Sequence, residues 1–553
     1  MSAAKDKKLM SALIARRVRM DADFDVWAPH FKELRNNIRP ALGRFDISET
    51  RTDSTINKRI VDSTAQLANR TLSSGLMAGM TSPSRAWFKI GVAGEGIMDD
   101  PDVQKWAKVV EGRMYEVLRG SNAYRMLERC YDNLGLYGTF GAMIVADFEN
   151  IIHCHSFPMG RYRIAVGDKG RVEYLHRDIP MTRANVVEMF GRENCSPELL
   201  RSFDANRLHE KVTICHAVEK RVDRDPMSPL STDKPYASFY WEKGKQSFLQ
   251  VSGFGINPLL VPRWHSVEDE PFSVTCPAME ALGDAVQLQG QHRDKAIAIK
   301  KSYDPPLVSG ANSSAVMYRN VPGGITTTQT SDLRTGGLRS IYDVQTRIDH
   351  LMMDISDTQG RIKSAFFTDL FLMTSGSDRR QVTAREIAER HEEKLLVLGP
   401  VLEALDHDLL QPLIQATFFH MQEADALPPA PESIGGRPIK VEYISALAQA
   451  QKAVGVAPME RTIGFAASLE QMIPGTMDNI DGDIALREFS KQVGGNPTMM
   501  ADPDDVAAKR KARAEQAQQA EMMQNAQPLA QAASLVSEMS ERGAEGIQRG
   551  APL

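Results

Sequence analysis

Residues 341–415 carry two long amphipathic helical patterns separated by a short polar stretch, and no other feature limits the fold so sharply. The first pattern runs from Ile341 to Phe367, and the second starts at Thr383 and continues past Leu410. On the first, Val344, Ile348, Leu351, Ile355 and Ile362 fall on one stripe, with Arg347, His350, Asp354, Asp357 and Arg361 on a mixed-sign opposite stripe. The second opens with Thr383-x-x-Glu386, a capping box that satisfies orphan N–H groups at a helix start. Ile387, Leu395, Leu398, Leu402, Leu405, Leu409 and Leu413 keep its apolar stripe. Some 30 residues give a rod of roughly 45 Å, which Pro400 is expected to kink. The polar stretch holds turn chemistry at Ser375-Gly376-Ser377-Asp378 and the adjacent arginines Arg379 and Arg380. No catalytic signature lies near, so the unit reads as a mechanical element of an assembly.

At 553 residues the chain exceeds what one hydrophobic core covers, so several domains are expected. A formal net charge of −5 argues against a protein that coats nucleic acid electrostatically, because such domains are strongly basic. DNA contact, if made, is local. No apolar run approaches the ~18 residues that span a bilayer, and no apolar stretch follows the basic start to make a signal peptide. The five cysteines, Cys130, Cys154, Cys195, Cys215 and Cys276, are an odd number and widely spaced, which reads as reduced, buried thiols.

The pattern along the chain predicts an α+β, mainly helical protein. Helical spacing covers Ile56 to Met80, with Ile60, Leu67, Leu72 and Leu76 as the apolar set, and stops at Pro83. Residues 85–92 switch to a strand pattern, and Pro101 opens a helix through Trp106, Val110, Met114 and Leu118. Hairpin signals around Gly167-Asp168-Lys169-Gly170 and Glu242-Lys243-Gly244-Lys245 indicate one small antiparallel β subdomain over 139–270, with a helical insertion at Arg183–Phe190. From Pro277 a helix runs to Lys301, with Leu282, Val286 and Ile297 on its packing face and Lys300 and Lys301 complementing its dipole. Prolines and glycines punctuate 302–340 into short β pieces, so 277–368 reads as helix, compact β insertion, returning helix. A Pro-rich linker follows at 427–431. Residues 440–500 read as short helices, and the tail from Asp504 as a polar helix or extension.

Chemistry-bearing motifs are sparse. His153 and His155 share a strand face but have no second ligand pair at zinc spacing. In Asp478-Asn479-Ile480-Asp481-Gly482-Asp483, Ile480 stands where a calcium loop needs an oxygen. No phosphate-cradling G-x-x-x-x-G-K-[ST], G-x-S-x-G or H-E-x-x-H occurs. Arg379 and Arg380 read either as a solvated loop pair or as phosphate contacts, which the planar guanidinium suits.

The segment Ser74-Gly75-Leu76-Met77-Ala78-Gly79-Met80-Thr81-Ser82-Pro83-Ser84-Arg85-Ala86-Trp87-Phe88 resembles the signature early part of portal, or head-to-tail connector, proteins of short-tailed bacteriophages. Cys276-Pro277-Ala278-Met279-Glu280-Ala281-Leu282-Gly283-Asp284 is similar to that family's entry into its first stem helix, with Cys276 where a Ser or Gly is expected. Thr383-Ala384-Arg385-Glu386-Ile387, Leu398-Gly399-Pro400-Val401-Leu402, Leu410-Gln411-Pro412-Leu413-Ile414 and the 478–483 run extend the resemblance over residues ~55–515.

The resemblance implies a homo-oligomeric ring, usually of twelve copies, at one capsid vertex of the virion, assembled in the host cytoplasm, with double-stranded DNA passing through its axis. It implies a wing at 1–276, stem helices at 277–301 and 344–368, a clip at 302–343 and a tunnel loop at 369–382. A kinked wing helix and linker would occupy 383–435 and a crown 436–553. Ser377, Asp378, Arg379, Arg380 and Gln381 would face DNA in the tunnel loop, and Lys300, Lys301, Arg347 and Arg361 in the stem. Tyr318, Arg319, Arg334 and Arg339 would be the clip's partner-binding candidates. The implied partners are terminase, a tail adaptor, and the major capsid and scaffolding proteins, with no membrane, cofactor, metal or catalytic residue. The competing readings are another tail or scaffold protein of the virion, and a metal-dependent nucleic-acid enzyme built on His153 and His155.

Overall fold

The computed structural model describes residues 3–45, 60–92, 100–267, 270–303, 307–308, 339–340, 348–372, 398–435, 439–443, 456–470, 473, 475, 479–486 and 506–517. They mix helix and sheet and fall into two compact units divided at Gln451/Lys452.

The first unit opens with the helices α1 (Ala3–Asn37) and α2 (Thr64–Met80), the strand β1 (Phe88–Val92), and the helices α3 (Pro101–Gly120) and α4 (Ala123–Tyr137). The helix expected from Ile56 begins at Thr64, where the Asp62 carboxylate accepts the Thr64 N–H at 2.7 Å. Leu72 and Leu76 are fully buried as expected, whereas Leu67 is exposed. Trp106, Val110, Met114 and Leu118 of α3 all lie in the core. Asp100 caps that helix by accepting from the Asp102 N–H, and proline opens its first turn, where no N–H is needed.

The β region contains two sheets rather than one. Strands β2 (Gly141–Asp147), β3 (Ile151–Phe157) and β9 (Leu259–Leu260) pair in the order β3-β2-β9. Strands β4 (Tyr162–Val166), β5 (Val172–Thr182), β6 (Lys211–Lys220), β7 (Tyr236–Glu242) and β8 (Phe248–Phe254) form an antiparallel meander in chain order. Both hairpins expected from their glycine turns are present, β4–β5 and β7–β8. The helical insertion is α5 (Arg183–Phe190), capped by Thr182, followed by α6 (Pro197–Asp204), capped by Ser196.

Next come α7 (Pro277–Glu280), α8 (Leu282–Tyr303), the paired short strands β10 (Leu307–Val308) and β11 (Arg339–Ser340), α9 (Ile348–Ala365) and α10 (Thr368–Leu372). The inward face of α8 is not the expected one. Ala281, Ala285 and Leu288 are buried at its base, while Val286 and Ile297 are about half exposed. Small alanines allow α8 close against its neighbours, and that shifts the packing face. On α9 Ile355 and Ile362 of the expected stripe are buried and Leu351 is half-buried, while Val344 and the Ile348 side chain lie outside what is described; His350, Asp354, Asp357 and Arg361 are exposed as expected. The polar loop expected from Thr368 begins instead as α10, because Leu370 and Phe371 have core to bury against.

Of the second long pattern, residues 383–397 lie outside the described residues. The remainder is α11 (Gly399–Leu405), a π-helical turn at Asp406–Leu410, and α12 (Gln411–Glu423). Pro400 stands in the first turn of α11, where a missing N–H breaks no bond. The irregularity sits instead at the wide turn ahead of Pro412, where the Gln411 N–H reaches back to the Asp406 carbonyl. Residues 439–443, expected among short helices, form β12 (Ile439–Tyr443), antiparallel to β1 with Phe88 opposite Tyr443. The second unit holds α13 (Val456–Glu470) and helical residues 482–486 and 506–517. There the Asp481 carboxylate caps residues 482–486, and Arg510 grips Asp483 through both oxygens at 2.5 and 2.7 Å.

All five cysteines are buried and free. The meander also buries two imidazoles. His176 faces Glu219 at 2.7 Å, and His216 stacks on Tyr240, accepts from Arg177 Nε at 2.9 Å and bonds Ser238. Burial drives both below their ordinary 6.5, although Glu219 partly opposes this at His176.

Two outcomes follow. Below about pH 6.5 the unfolded chain binds protons at these histidines more readily than the folded chain, so stability falls as pH drops through that range. Denaturant midpoints measured from about pH 8 to 5 should decline, and His176→Gln should make the decline shallower. A methyl at Gly75 of α2 would overlap the Phe371 ring of α10. Gly75→Ala should therefore lower stability by about 1–3 kcal/mol, despite the ~1 kcal/mol that alanine gains in a helix.

Candidate nucleic-acid interface

The helices α8 and α9 run antiparallel. Asp284, near the start of α8, meets Arg361 near the end of α9 at 3.0 Å, and Gln291 further along α8 bonds Asp354 and Thr358, earlier on α9. The base of the pair is embedded in the main core through Ala281, Ala285, Leu288, Ile355, Ile362 and Phe366. Farther out, Ile297, Ile299, Met352 and Met353 are exposed, so the pair leaves the core as a rod.

A polar clamp fixes the angle of departure. The Gln289 side chain is buried; its Oε1 accepts from the Val61 and Asp62 N–H groups at 2.7 and 3.0 Å, and its Nε2 donates to the Asp62 carbonyl at 2.8 Å. The Asp62 carboxylate accepts from Gln359 Nε2 of α9 at 2.9 Å and lies 3.1 Å from His292 of α8. Burial alone would raise the Asp62 carboxyl. Hydrogen bonds from Thr64 and Gln359 and the field of His292 outweigh it and hold the group below its ordinary 3.8. The sequence signal for this clamp was available: Gln289 and Thr358 are polar residues beside the packing stripes, at positions that a solvated face does not need.

The residues named from sequence fare differently. Arg361 is committed to structure, bridging Asp284 on α8 and Asp357 on its own helix and donating to Thr358 at 3.2 Å. Its charge is matched by two carboxylates, which leaves less of it for a phosphate. Lys300 is exposed near the far end of α8. Lys301 and Arg339 are on described backbone, in α8 and β11, and their side chains lie outside what is described. Ser377, Asp378, Arg379, Arg380, Gln381, Arg347, Tyr318, Arg319 and Arg334 lie outside the described residues.

What is described of the loop's root is well supported. After α9 the chain turns at Phe367, with φ of +54°, into α10, whose Phe371 ring rests over Gly75. Gly75 belongs to the early signature segment, and other members of that segment are structural too. Thr81 is fully buried and bonds Tyr131 at 3.1 Å. The Tyr115 hydroxyl accepts from the Trp87 and Phe88 N–H groups, each at 2.8 Å, and donates to the Phe88 carbonyl. The second signature, at Cys276–Asp284, sits against the end of α4. Gly138 caps α4 with φ of +67°, and a Cβ there would stand 2.7 Å from Ser273 Cβ. The Cys276 thiol is fully buried beside the Leu136 carbonyl, and burial pushes it up to about 12.

His153 and His155 do share a face of β3, with ring centroids 4.7 Å apart. His153 contacts Asn122, and burial, Arg177 and His153 push His155 down to about 4. Among the described residues no group of three or more His, Cys, Asp or Glu is arranged to hold a metal ion. Among them, too, no helix is long and apolar enough to cross a membrane.

The profile of a family described as "Bacteriophage head to tail connecting protein" matches residues 10–500. The "Probable portal protein" of Bordetella phage BPP-1 is 36% identical over 506 residues, 91% of each chain. The "Portal protein" of Salmonella phage epsilon15 is 37% identical over 513 residues, 92% of each chain. Among solved structures, a chain from the virion of a native gene transfer agent particle aligns over 84% of this chain and 99% of its own, with 11% identity and a TM-score of 0.34. A chain from the neck of that particle, computed with C12 symmetry, gives 83%, 97%, 11% and 0.33. A likeness this loose carries no argument. The family match and the two portal relatives, each spanning about nine-tenths of the sequence, are enough: the chain belongs to the bacteriophage head-to-tail connecting proteins.

Proposed function

We propose that this chain forms a ring of about twelve copies at one capsid vertex of a short-tailed phage, with double-stranded DNA passing through the axis during packaging and ejection. The observation that carries this reading is the antiparallel α8–α9 rod, clamped to the core at Asp62 and tipped by the β10–β11 pair. A rod set at a fixed angle on a rigid body, repeated about an axis, makes the wall of a tube. On this reading residues 277–301 and 344–368 are the stem, 302–343 the clip that meets terminase or the tail adaptor, and 369–382 the tunnel loop. Residues 1–276 with 383–435 form the wing, and 436–553 the crown toward the capsid interior. The protein does no chemistry of its own and takes no cofactor. Force comes from a separate ATPase, and the ring supplies geometry.

The exposed face of α9 mixes signs, with Asp349, His350, Asp354, Asp357, Arg361 and Lys363. Mixed sign suits a wall along which DNA slides, since each phosphate neutralised adds affinity and salt dependence. Arg379 and Arg380 are the cations proposed to approach the duplex.

Electron microscopy of the purified protein should show rings with an axial hole wide enough for B-DNA, on the order of 20 Å or more. A chain that stays monomeric under all conditions, and gives no ring in phage particles, removes this reading. Replacing Arg379 and Arg380 together by glutamine should leave rings intact and lower genome packaging several-fold. Unchanged packaging would place the arginines away from DNA.

A further inference from the structure

His153 and His155, the pair on which a metal reading rests, lie beside a cation. With Phe157 they alternate onto one face of β3, an edge strand of its sheet. The two imidazole centroids are 4.7 Å apart. The Arg177 guanidinium of β5 sits 4.5 Å over the Phe157 ring, next in line to His155. Asn122 steadies the strand. Its Oδ1 accepts from the Cys154 N–H and its Nδ2 donates to the Cys154 carbonyl, each at 2.8 Å, and Nδ2 also reaches His153 Nε2 at 3.4 Å.

Arg177 belongs to a polar row that crosses the meander. Tyr162, Arg177, His216 and Tyr240 stand opposite one another on β4, β5, β6 and β7. Leu175 and Val218 on one side of the row are part of the main core, and Ile214 on the other side joins a separate cluster with Phe190 and Leu199. A row between two apolar clusters has to satisfy its polar groups locally. His216 does so, accepting from Arg177 Nε and bonding Ser238. Arg177 has only neutral partners. Burial holds five described arginines below their ordinary value, and at Arg39, Arg163, Arg221 and Arg263 an aspartate opposes it. At Arg177 only the Tyr240 hydroxyl does. The charged and titratable groups that face His155 are Arg177 and His153, and neither is an acid. Positive charge that is partly buried without a carboxylate is costly. It repels a metal ion and suits an anion. His155 is exposed and His153 half-buried, which leaves the solvent side open to one.

We propose that Arg177, His155 and His153 form a binding site for a tetrahedral oxyanion of the phosphate class, with the guanidinium as anchor and the imidazoles as N–H donors. The planar guanidinium fork matches two oxygens of such a group. One of its N–H groups goes to His216 and one to Tyr240, which leaves others for the ligand. The oxyanion is free phosphate or a phosphodiester of nucleic acid, since both present the same oxygens. The site lies within one chain and does not depend on the ring.

Acylation of imidazoles by diethyl pyrocarbonate, located by mass spectrometry on the full-length chain, tests this. Sulfate is the first probe, with chloride at equal ionic strength as the control. Sulfate should slow acylation of His155 and His153 several-fold, with half-protection at about 1 mM or below, and leave the exposed His209 and His350 unaffected. Arg177→Gln should abolish the protection. Because that change also touches His216, His153→Gln gives a second reading: it should raise the sulfate needed to protect His155 several-fold, whether or not the Arg177 variant folds. Inorganic phosphate and a short DNA duplex then identify the source. Protection by the duplex at equal phosphate concentration assigns a phosphodiester, and protection by phosphate alone assigns the free ion; either supports the site. No protection by sulfate, protection shared equally by His209 and His350, or a His155 midpoint unchanged by His153→Gln overturns it. So does protection that persists in a folded Arg177→Gln chain.

Discussion

The two buried glutamines of α8, Gln289 holding Asp62 and Gln291 holding α9, set the direction in which the helix pair leaves the body. Ala281 and Ala285 give α8 a smooth base, and smooth apolar contacts tolerate sliding by a turn. Gln289 and Gln291 do not tolerate it. A buried amide that loses its partners costs about 1–3 kcal/mol, and Gln289 holds backbone groups of Val61 and Asp62 while Gln291 holds Asp354 and Thr358. The register of the rod is therefore fixed by polar bonds and its adhesion by apolar burial. The apolar part comes from α8, α9 and the long core helices α2 and α4.

The signature segment of the family is best understood in the same way. Gly75, Thr81, Trp87 and Phe88 are packing residues inside the first unit. They join α2, α3, α4 and β1, and Gly75 leaves room for the Phe371 ring that roots the following loop. A connector's most recognisable residues can thus be packing residues, here ones that join the helices at the base of the α8–α9 rod.

Much of this was legible in the chain. Alternation and glycine turns placed both hairpins, and heptad-like spacing placed the inner stripe of α9, because those signals are local. The failures have a common physical cause: they depend on partners far away in sequence. Leu67 looks like a core residue until the neighbours of α2 are known. Val286 and Ile297 look inward-facing until the alanines are seen to pack instead. Residues 439–443 do alternate as a strand, Ile439-Lys440-Val441-Glu442-Tyr443, a short local signal lost among helical neighbours, and β1 offers the edge on which it pairs. The split of the β region into two sheets likewise comes from which strands meet, which no window of a dozen residues contains. Of the residues named for the channel, Arg361 was visible as a charge but not as half of an interhelical pair. The cations at 379–380 are named on pattern and resemblance alone.

The pairing of β1 with β12 also constrains the order of events during synthesis. β1 emerges from the ribosome early, with Phe88, Ile90 and Val92 destined for the core, while its sole partner among the described strands emerges only after most of the chain has been made. Contacts of such long range form late and slowly. Until residue 443 is available, the β1 edge stays open and unpaired, a hazard for association with other nascent chains. The strand β12 thus closes this one edge of the first unit only once residue 443 of the 553 has been made.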